Sequence, residues 1–281
     1  MFLRGERFHH PARAARQTCR PVAISSILTQ PAMHDRDVRV DPGTAPLPAT
    51  PEKASLLDDF MDIFYAPSKV FARRATKGFF VPLLIVAVLL GGIFIANRDL
   101  MEPIMEAEMQ RAMAQNPNAP QLTEDQLAAG RRIAGTFATV GAFVVTPIIM
   151  LCLGLVIWMV GKFFDSKQTL NAAMTVAVFS YVPRIVEGIV NRAQGLFIDP
   201  STLNSRYSLS FGLGRFFDAD TASPLLLGLI GRIDVFTIWV TILIAIGIAV
   251  TGKVGRAKAA MAAAVVWLVG ALPQLAGALR G

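Results

Sequence analysis

Arg184 and Glu187 lie three positions apart inside an otherwise apolar stretch, residues 170–190. A charged side chain at the centre of a membrane helix costs about 2.5–3.5 kcal/mol on insertion scales, so such residues are rare and usually paired. A spacing of three places both on one helical face, where guanidinium and carboxylate can meet. Arg232 and Asp234 open a later apolar stretch that runs in the opposite direction, at a similar depth. These four residues are predicted to form one intramembrane polar cluster.

Two interpretations of this cluster stay open at the level of the sequence. In the first, the charges lock two helices together and Arg184 snorkels outward. In the second, Arg184, Glu187 and Asp234 line the path of a small transporter or channel, because ionisable residues inside membranes often mark such paths.

Other candidates for catalytic chemistry are few. The three histidines, His9, His10 and His34, all lie near the beginning of the chain, away from any carboxylate cluster. The sequence contains no His-Glu-x-x-His, no Gly-x-Ser-x-Gly and no phosphate-binding loop. We therefore expect no catalytic residues, no metal site and no cofactor, and we predict that the protein is not an enzyme.

The polar cluster must be positioned by membrane-spanning helices. Hydrophobic residues make up 53% of the 281 residues. A spanning helix needs about 20 mostly apolar residues, because lipid offers no hydrogen-bond partner to an exposed backbone. The predicted fold is all-α: a polytopic membrane protein with a membrane domain at 79–281 built as a five-transmembrane-helix bundle. The five predicted spans are residues 79–96, 133–160, 170–190, 233–251 and 259–279.

Lysine and arginine near the ends of the stretches predict the orientation. Basic residues gather in three short pieces, 69–77, 161–169 and 251–258, whereas the connections 97–132 and 191–234 are long. Five spans put the three basic pieces on one side, so we predict a cytoplasmic N-terminus and a C-terminus outside. Residues 1–32 carry +4 of the net charge of +7, and the remaining +3 is spread along the edges of the spans. No clustered basic face with interleaved aromatic residues is present, so nucleic acid is not a predicted partner.

The region before the first span divides into two parts. Residues 1–54 are predicted to be a disordered cytoplasmic tail, because they are rich in proline and lack a long apolar run. Residues 1–32 could instead be an artefact of start-site choice, since Met33 opens a more ordinary N-terminus. Residues 55–78 are predicted to be an amphipathic segment at the membrane interface, beginning at a capping box of Ser55 and Asp58.

Within this segment, one helical face is predicted to be apolar and the opposite face acidic. The helix ends at Pro67, and a basic run follows that suits an anionic membrane surface. Binding to the bilayer and packing against the bundle are both compatible with this pattern. The residues concerned are Leu56, Leu57, Phe60, Met61 and Phe64 on the apolar face, Asp58, Asp59 and Asp62 on the acidic face, and Lys69, Arg73 and Arg74 in the basic run.

Three motifs along the chain resemble the Yip-one domain family, the Ypt/Rab-interacting membrane proteins. Asp62-Ile-Phe-Tyr-Ala-Pro67, which includes Phe64, is similar to that family's Asp-aromatic-small-Pro element before the first span. Phe179-Ser-Tyr-Val-Pro183, with Tyr181, resembles its Tyr-and-Pro element in the third span. Asp234-Val-Phe-Thr-Ile-Trp239 resembles the opening of the fourth span in the bacterial branch.

The resemblance implies a non-enzymatic five-span protein of a bacterial inner (plasma) membrane, whose kin act in membrane traffic and membrane shaping. The leading hypothesis is therefore membrane organisation or protein interaction, with the bilayer and a protein at the cytoplasmic face as partners. Ala259 and Ala263 have the small-xxx-small spacing of a helix contact surface. Its partner could be another helix of the bundle or a second copy of the chain, so a homo-oligomer stays open.

The predicted orientation can be tested with reporter fusions. Reporters inserted in the connections 161–169 and 191–223 should report opposite compartments, because one membrane span separates them. If both reporters were found in the same compartment, the predicted membrane topology would be wrong.

Overall fold

The computed structural model describes residues 54–114 and 123–273, and the prediction of an all-α protein is confirmed over these ranges. The predicted tail, 1–54, lies outside the described residues except for its last position. Two single 3-10 turns, Pro200–Thr202 and Leu213–Phe216, interrupt the longest described connection. The helices are α1 (Leu56–Tyr65), α2 (Pro67–Arg74), α3 (Phe80–Ala96), α4 (Arg98–Ala114), α5 (Glu124–Phe163), α6 (Leu170–Ser180), α7 (Val182–Gln194), α8 (Pro224–Ile230), α9 (Val235–Gly252) and α10 (Arg256–Val269).

Three to four candidate membrane spans are present in the described residues. Three stretches are long and apolar enough to cross a membrane: Ala128–Phe163, Leu170–Gln194 and Val235–Gly252. The fourth candidate is the pair α3 and α4, which is bent by 75°. Helix α10 has 14 residues, and the end of the predicted span 259–279 lies beyond the described part of the chain. A fifth span therefore stays a prediction.

Helices α1 and α2 form an antiparallel hairpin. Ser55 begins α1 with the predicted capping box, since its backbone N–H donates to the Asp58 carboxylate at 2.7 Å. Pro67 is the first residue of α2, where the missing N–H costs nothing. Asp59 and Arg74, which lie at nearly equal distances in sequence from Pro67, form an ion pair across the hairpin.

The faces of α1 differ from the prediction. Asp59 is only 1% exposed and Ile63 is fully buried, so an acidic residue lies on the side that packs against the bundle. Leu57 and Met61, which were predicted to share one apolar face with Leu56, Phe60 and Phe64, are 76% and 63% exposed. The reason is that α2 supplies arginines to Asp59, a contact that the helical periodicity of α1 alone does not contain.

The bundle packs through small residues. A Cβ atom added to Gly154 would collide with Met174, one added to Gly247 would collide with Val176, and one added to Gly91 would collide with the ring of Phe143. These glycines let α5 approach α6, α9 approach α6, and α3 approach α5. Close approach matters in a membrane, because lipid tails are as apolar as leucine and helix association depends on van der Waals packing.

The basic pieces of the sequence meet at one end of the bundle, called here the basic end. The Lys167 backbone N–H donates to Gly252 O at 3.0 Å, and the side chain of Gln168 donates to Thr251 at 2.7 Å. From the start of α6, Asn171 Nδ2 donates to the carbonyl of Lys77 at 2.9 Å. The segments 69–77, 161–169 and 251–258 therefore share one end of the bundle, as the predicted membrane topology requires.

The two long connections meet at the opposite end. Arg192 pairs with Asp99 at 2.6 Å. Arg206 pairs with Glu108 at 2.7 Å, and Arg111 pairs with Asp220 at 2.5 Å. Beneath these ion pairs lies a second apolar cluster of Leu100, Ile104, Leu203 and Leu209. The described parts of 97–132 and 191–234 thus form one ordered layer, called here the cap.

The contact between α6 and α9 generates a testable prediction. Gly247→Ala should lower the melting temperature in detergent, because its Cβ collides with Val176 and overpacking costs about 1–3 kcal/mol. Gly92→Ala is the matched control: nothing lies within 4 Å of its added Cβ, and alanine is the better helix former. Equal losses of melting temperature in the two variants, or a larger loss in Gly92→Ala, would contradict this account of the packing.

Candidate functional site

The three segments that carry the family-like motifs come together on the side of the bundle that the hairpin covers. The ring of Phe60 lies 5.4 Å from that of Phe179, and the ring of Phe64 lies edge-on at 5.4 Å from Trp239. Trp239 in turn stacks on Phe236, 6.5 Å away. Residues far apart in sequence, from α1, α6 and α9, thus build one aromatic contact region.

Beside this region the structure joins three of the four residues of the predicted polar cluster. Arg184 Nη1 donates to Glu187 Oε2 at 2.6 Å, and Arg184 Nη2 donates to Thr237 Oγ1 at 2.8 Å. The hydroxyl of Thr237 then donates to the carboxylate of Asp234. Arg184 therefore links α7 to α9 through a threonine, with a carboxylate at each end of the chain of hydrogen bonds.

Asp234 has a second task at the start of α9. Its Oδ1 accepts hydrogen bonds from the backbone N–H groups of Phe236, at 2.9 Å, and Thr237, at 3.1 Å. This is an N-cap, which satisfies donors that have no partner within the helix. Asp234 is 7% exposed, so these N-cap hydrogen bonds of α9 are made away from solvent.

Arg232, the fourth predicted member, bonds elsewhere. Its guanidinium donates to the carbonyl of Gly270 and to that of Trp267, each at 2.9 Å, and lies 5.3 Å from the centre of the Trp267 ring. These carbonyls end α10, where a positive charge is favoured. Arg232 therefore ties the start of α9 to the end of α10 rather than extending the hydrogen-bonded chain from Arg184.

Tyr181 and Pro183 mark the point where α6 gives way to α7. Tyr181 separates the two helices, and the Arg184 N–H donates to the Tyr181 carbonyl at 2.9 Å. Pro183 is the second residue of α7, where a proline is tolerated because its N–H would have no helical partner. The break in the helix thus fixes the position from which Arg184 projects.

The residues of the hairpin form a second charged group, the hairpin network. Arg73 Nη2 donates to both Asp59 Oδ1 and Asp62 Oδ2 at 2.6 Å, and Arg74 Nε donates to Asp59. Two acids and two bases neutralise each other. Of the other residues predicted to lie at the interface, Asp58 serves in the capping box and Lys69 is exposed.

The ion pair of Lys258 and Asp165 is more exposed than the pairs of the hairpin network. The hydrogen bond that Lys258 donates to Asp165 at 2.7 Å, at the basic end, lowers the pKa of the Asp165 carboxyl. The pair therefore stabilises the fold at neutral pH and loses this effect as the pH falls through the lowered pKa. Its contribution is small, because the two side chains are 54% and 79% exposed and water screens them.

Sequence reasoning missed two connecting residues. Thr237 stands three positions after Asp234, a capping pattern that could have drawn attention to it. Asn97 ends α3 and donates to the carbonyls of Ile93, at 2.9 Å, and Gly188, at 3.1 Å, which fixes α3 against α7. A single asparagine at a helix end carries no signal in sequence for such a long-range contact.

In the described residues no three His, Cys, Asp or Glu side chains are grouped so as to hold a metal ion. The geometry defines an all-helical protein with three to four helices able to span a membrane. A family model described as the Yip1 domain matches residues 61–277, a range that begins within α1 and includes the whole polar cluster. The chain belongs to the Yip1 domain family. Comparisons with curated proteins and with solved structures gave no significant match.

The link between α7 and α9 can be tested through Thr237. Thr237→Val keeps the shape of the side chain but leaves Arg184 Nη2 and one Asp234 oxygen without this partner. We expect a loss of about 1–3 kcal/mol, the usual cost of an unsatisfied buried group, seen as a lower melting temperature in detergent.

The matched control is Thr241→Val, one turn further along α9. The hydroxyl of Thr241 donates only to the Thr237 carbonyl of its own helix, so its removal should change stability little. Equal melting temperatures for the two variants would show that Thr237 does not couple the helices.

Proposed function

We propose that this Yip1-family protein is non-enzymatic and organises the membrane in which it lies, through contacts with the bilayer and with protein partners. The observation that carries the proposal is that the polar groups inside the bundle form hydrogen bonds between helices or at helix ends. Arg184, Thr237 and Asp234 form one hydrogen-bonded chain, and Arg232 ends α10. Each of these groups is used to join or to cap helices.

The energetics of buried charges support this assignment. Removing one partner of a fully buried ion pair typically costs about 3–5 kcal/mol, because the remaining charge is left uncompensated, and the cost is smaller for the part-buried pair of Arg184 and Glu187. Arg184 binds Glu187 on α7 and Thr237 on α9, so the position of its guanidinium group is fixed by two helices. Such an arrangement suits a lock between α7 and α9 better than a group that must exchange partners with a passing ion.

We further propose that the bundle crosses the bacterial inner membrane five times, with its N-terminus in the cytoplasm and its C-terminus outside. The meeting of the three basic pieces at one end supports this orientation under the positive-inside rule. The fifth span would comprise α10 and the residues that follow it, to about 279. A second copy of the chain remains a candidate partner for this helix.

The hairpin provides an apolar contact surface alongside the spans in this proposal. Its charges are paired within the hairpin network, while Leu57, Met61 and Tyr65 recur every four residues on α1 and are 76%, 63% and 83% exposed. An exposed apolar stripe beside the spans is suited to lipid or to an apolar partner surface.

A small transporter or channel is the second candidate function. The partial exposure of the Arg184–Glu187 ion pair favours this function, since the two side chains keep 28% and 23% of their surface accessible. A charge pair open to water could lie on an ion pathway.

Reconstitution into liposomes separates the two functions. The parent protein should leave sodium, potassium and proton flux at the level of protein-free vesicles, and should change vesicle size or shape in proportion to the protein-to-lipid ratio. Cryo-electron microscopy and ion-sensitive dyes measure the two effects.

Two glutamate variants sharpen this experiment. Flux that is abolished by Glu187→Gln but retained by Glu108→Gln, whose carboxylate pairs with Arg206 in the cap, would establish the transport function. Vesicles unchanged in shape at every protein density would contradict the membrane-organising role.

A further inference from the structure

A cavity of about 170 Å³ lies where α3, α4 and α5 meet, at the end of the bundle that carries the cap. Its floor is apolar, with Phe94 from the end of α3 and Ala138 from α5. Its sides carry methionines of α4, including Met101 and Met105. Methionine side chains are flexible and polarisable, so they adapt to ligands of irregular apolar shape.

The rim of this cavity is charged, and its charges are of both signs. Arg98 and Glu102 are both exposed and lie four positions apart on α4, a spacing that puts them on one face. Within the described residues, neither takes part in an ion pair within 4 Å. Arg131 and Glu106, further along the rim, neutralise each other at 3.2 Å. The rim thus offers one cation and one anion that are not engaged with each other.

The position of the cavity along the bundle indicates where in a membrane it would lie. Helix α3 is 17 residues long and apolar throughout, and it ends at Asn97, where the chain bends by 75° into α4. At 1.5 Å per residue, α3 alone spans about 25 Å, close to the hydrocarbon thickness. Helix α4 therefore begins at the level of the lipid headgroups, with Phe94 just below it and Arg98 just above.

We propose that this cavity binds one phospholipid whose headgroup carries both a phosphate and a primary ammonium group. The phosphate is held by Arg98 and the ammonium by Glu102, while the first part of an acyl chain enters between Phe94, Met101 and Ala138. Guanidinium and carboxylate groups form their strongest hydrogen bonds with such charged partners. An anionic lipid without the amine would satisfy Arg98 alone and leave Glu102 next to a second negative charge.

Lipid retention by the purified full-length protein tests this site. After exchange into detergent has removed loosely associated lipid, native mass spectrometry should detect one retained phosphatidylethanolamine. Phosphatidylglycerol, which lacks the amine, should be retained about tenfold less well, the change expected for one charge-assisted contact. Equal retention of the two lipids would overturn the proposal.

Variants locate the binding. Glu102→Gln should abolish the preference between the two lipids, and Arg98→Gln should weaken both. Glu108→Gln, a glutamate of the same helix that pairs with Arg206, is the matched control and should retain the parent's preference. Loss of preference in Glu108→Gln, or its persistence in Glu102→Gln, would overturn the assignment.

Filling the floor of the cavity is an independent test. Ala138→Phe should reduce retention of phosphatidylethanolamine about tenfold, whereas Val144→Phe, on the exposed side of the same helix, should leave it unchanged. Equal retention by both would overturn the acyl-chain part of the site. These measurements do not depend on vesicle remodelling, so the lipid site and the membrane-organising role can fail separately.

Discussion

The arrangement of this protein follows from one constraint, which is that polar groups inside an apolar bundle must find partners within the protein. Arg184 meets this constraint by bonding to Glu187 on its own helix, α7, and to Thr237 on α9. Thr237 can serve both charged neighbours because a hydroxyl accepts one hydrogen bond and donates another. The positions of α7 and α9 relative to each other are thereby fixed by the chemistry of one side chain.

The same constraint accounts for the hairpin before the first span. Asp59 is almost fully buried, and its charge is tolerated because Arg73 and Arg74 reach it from α2. With its charges neutralised internally, the hairpin can present Phe60 and Phe64 to Phe179 and Trp239. Motifs that are separate in sequence are in this way parts of one contact region, which gives the resemblance to the family a physical basis.

Much of the fold could be predicted, because the dominant signals are local. Long apolar stretches define helices, the capping box at Ser55 defines the start of α1, and runs of lysine and arginine define which connections share an end. The pairing of Arg184 with Glu187 was equally accessible, since both lie on one helix at a fixed spacing. Asp59 was assigned to the wrong face because its partners come from another helix.

The class of the protein, the approximate bounds of its apolar helices and the meeting of its basic pieces at one end could be predicted from the amino-acid sequence, since these features depend on composition and on periodicity along a single helix. Three contacts became visible only in the folded bundle: Arg232 bonds to α10 and not to Asp234, Thr237 stands between Arg184 and Asp234, and Asn97 binds Gly188. Such contacts depend on which helices pack against each other and on their relative positions along the bundle axis. Packing sets both, because a polar group inside the bundle bonds to whichever partner the neighbouring backbone brings within about 3 Å.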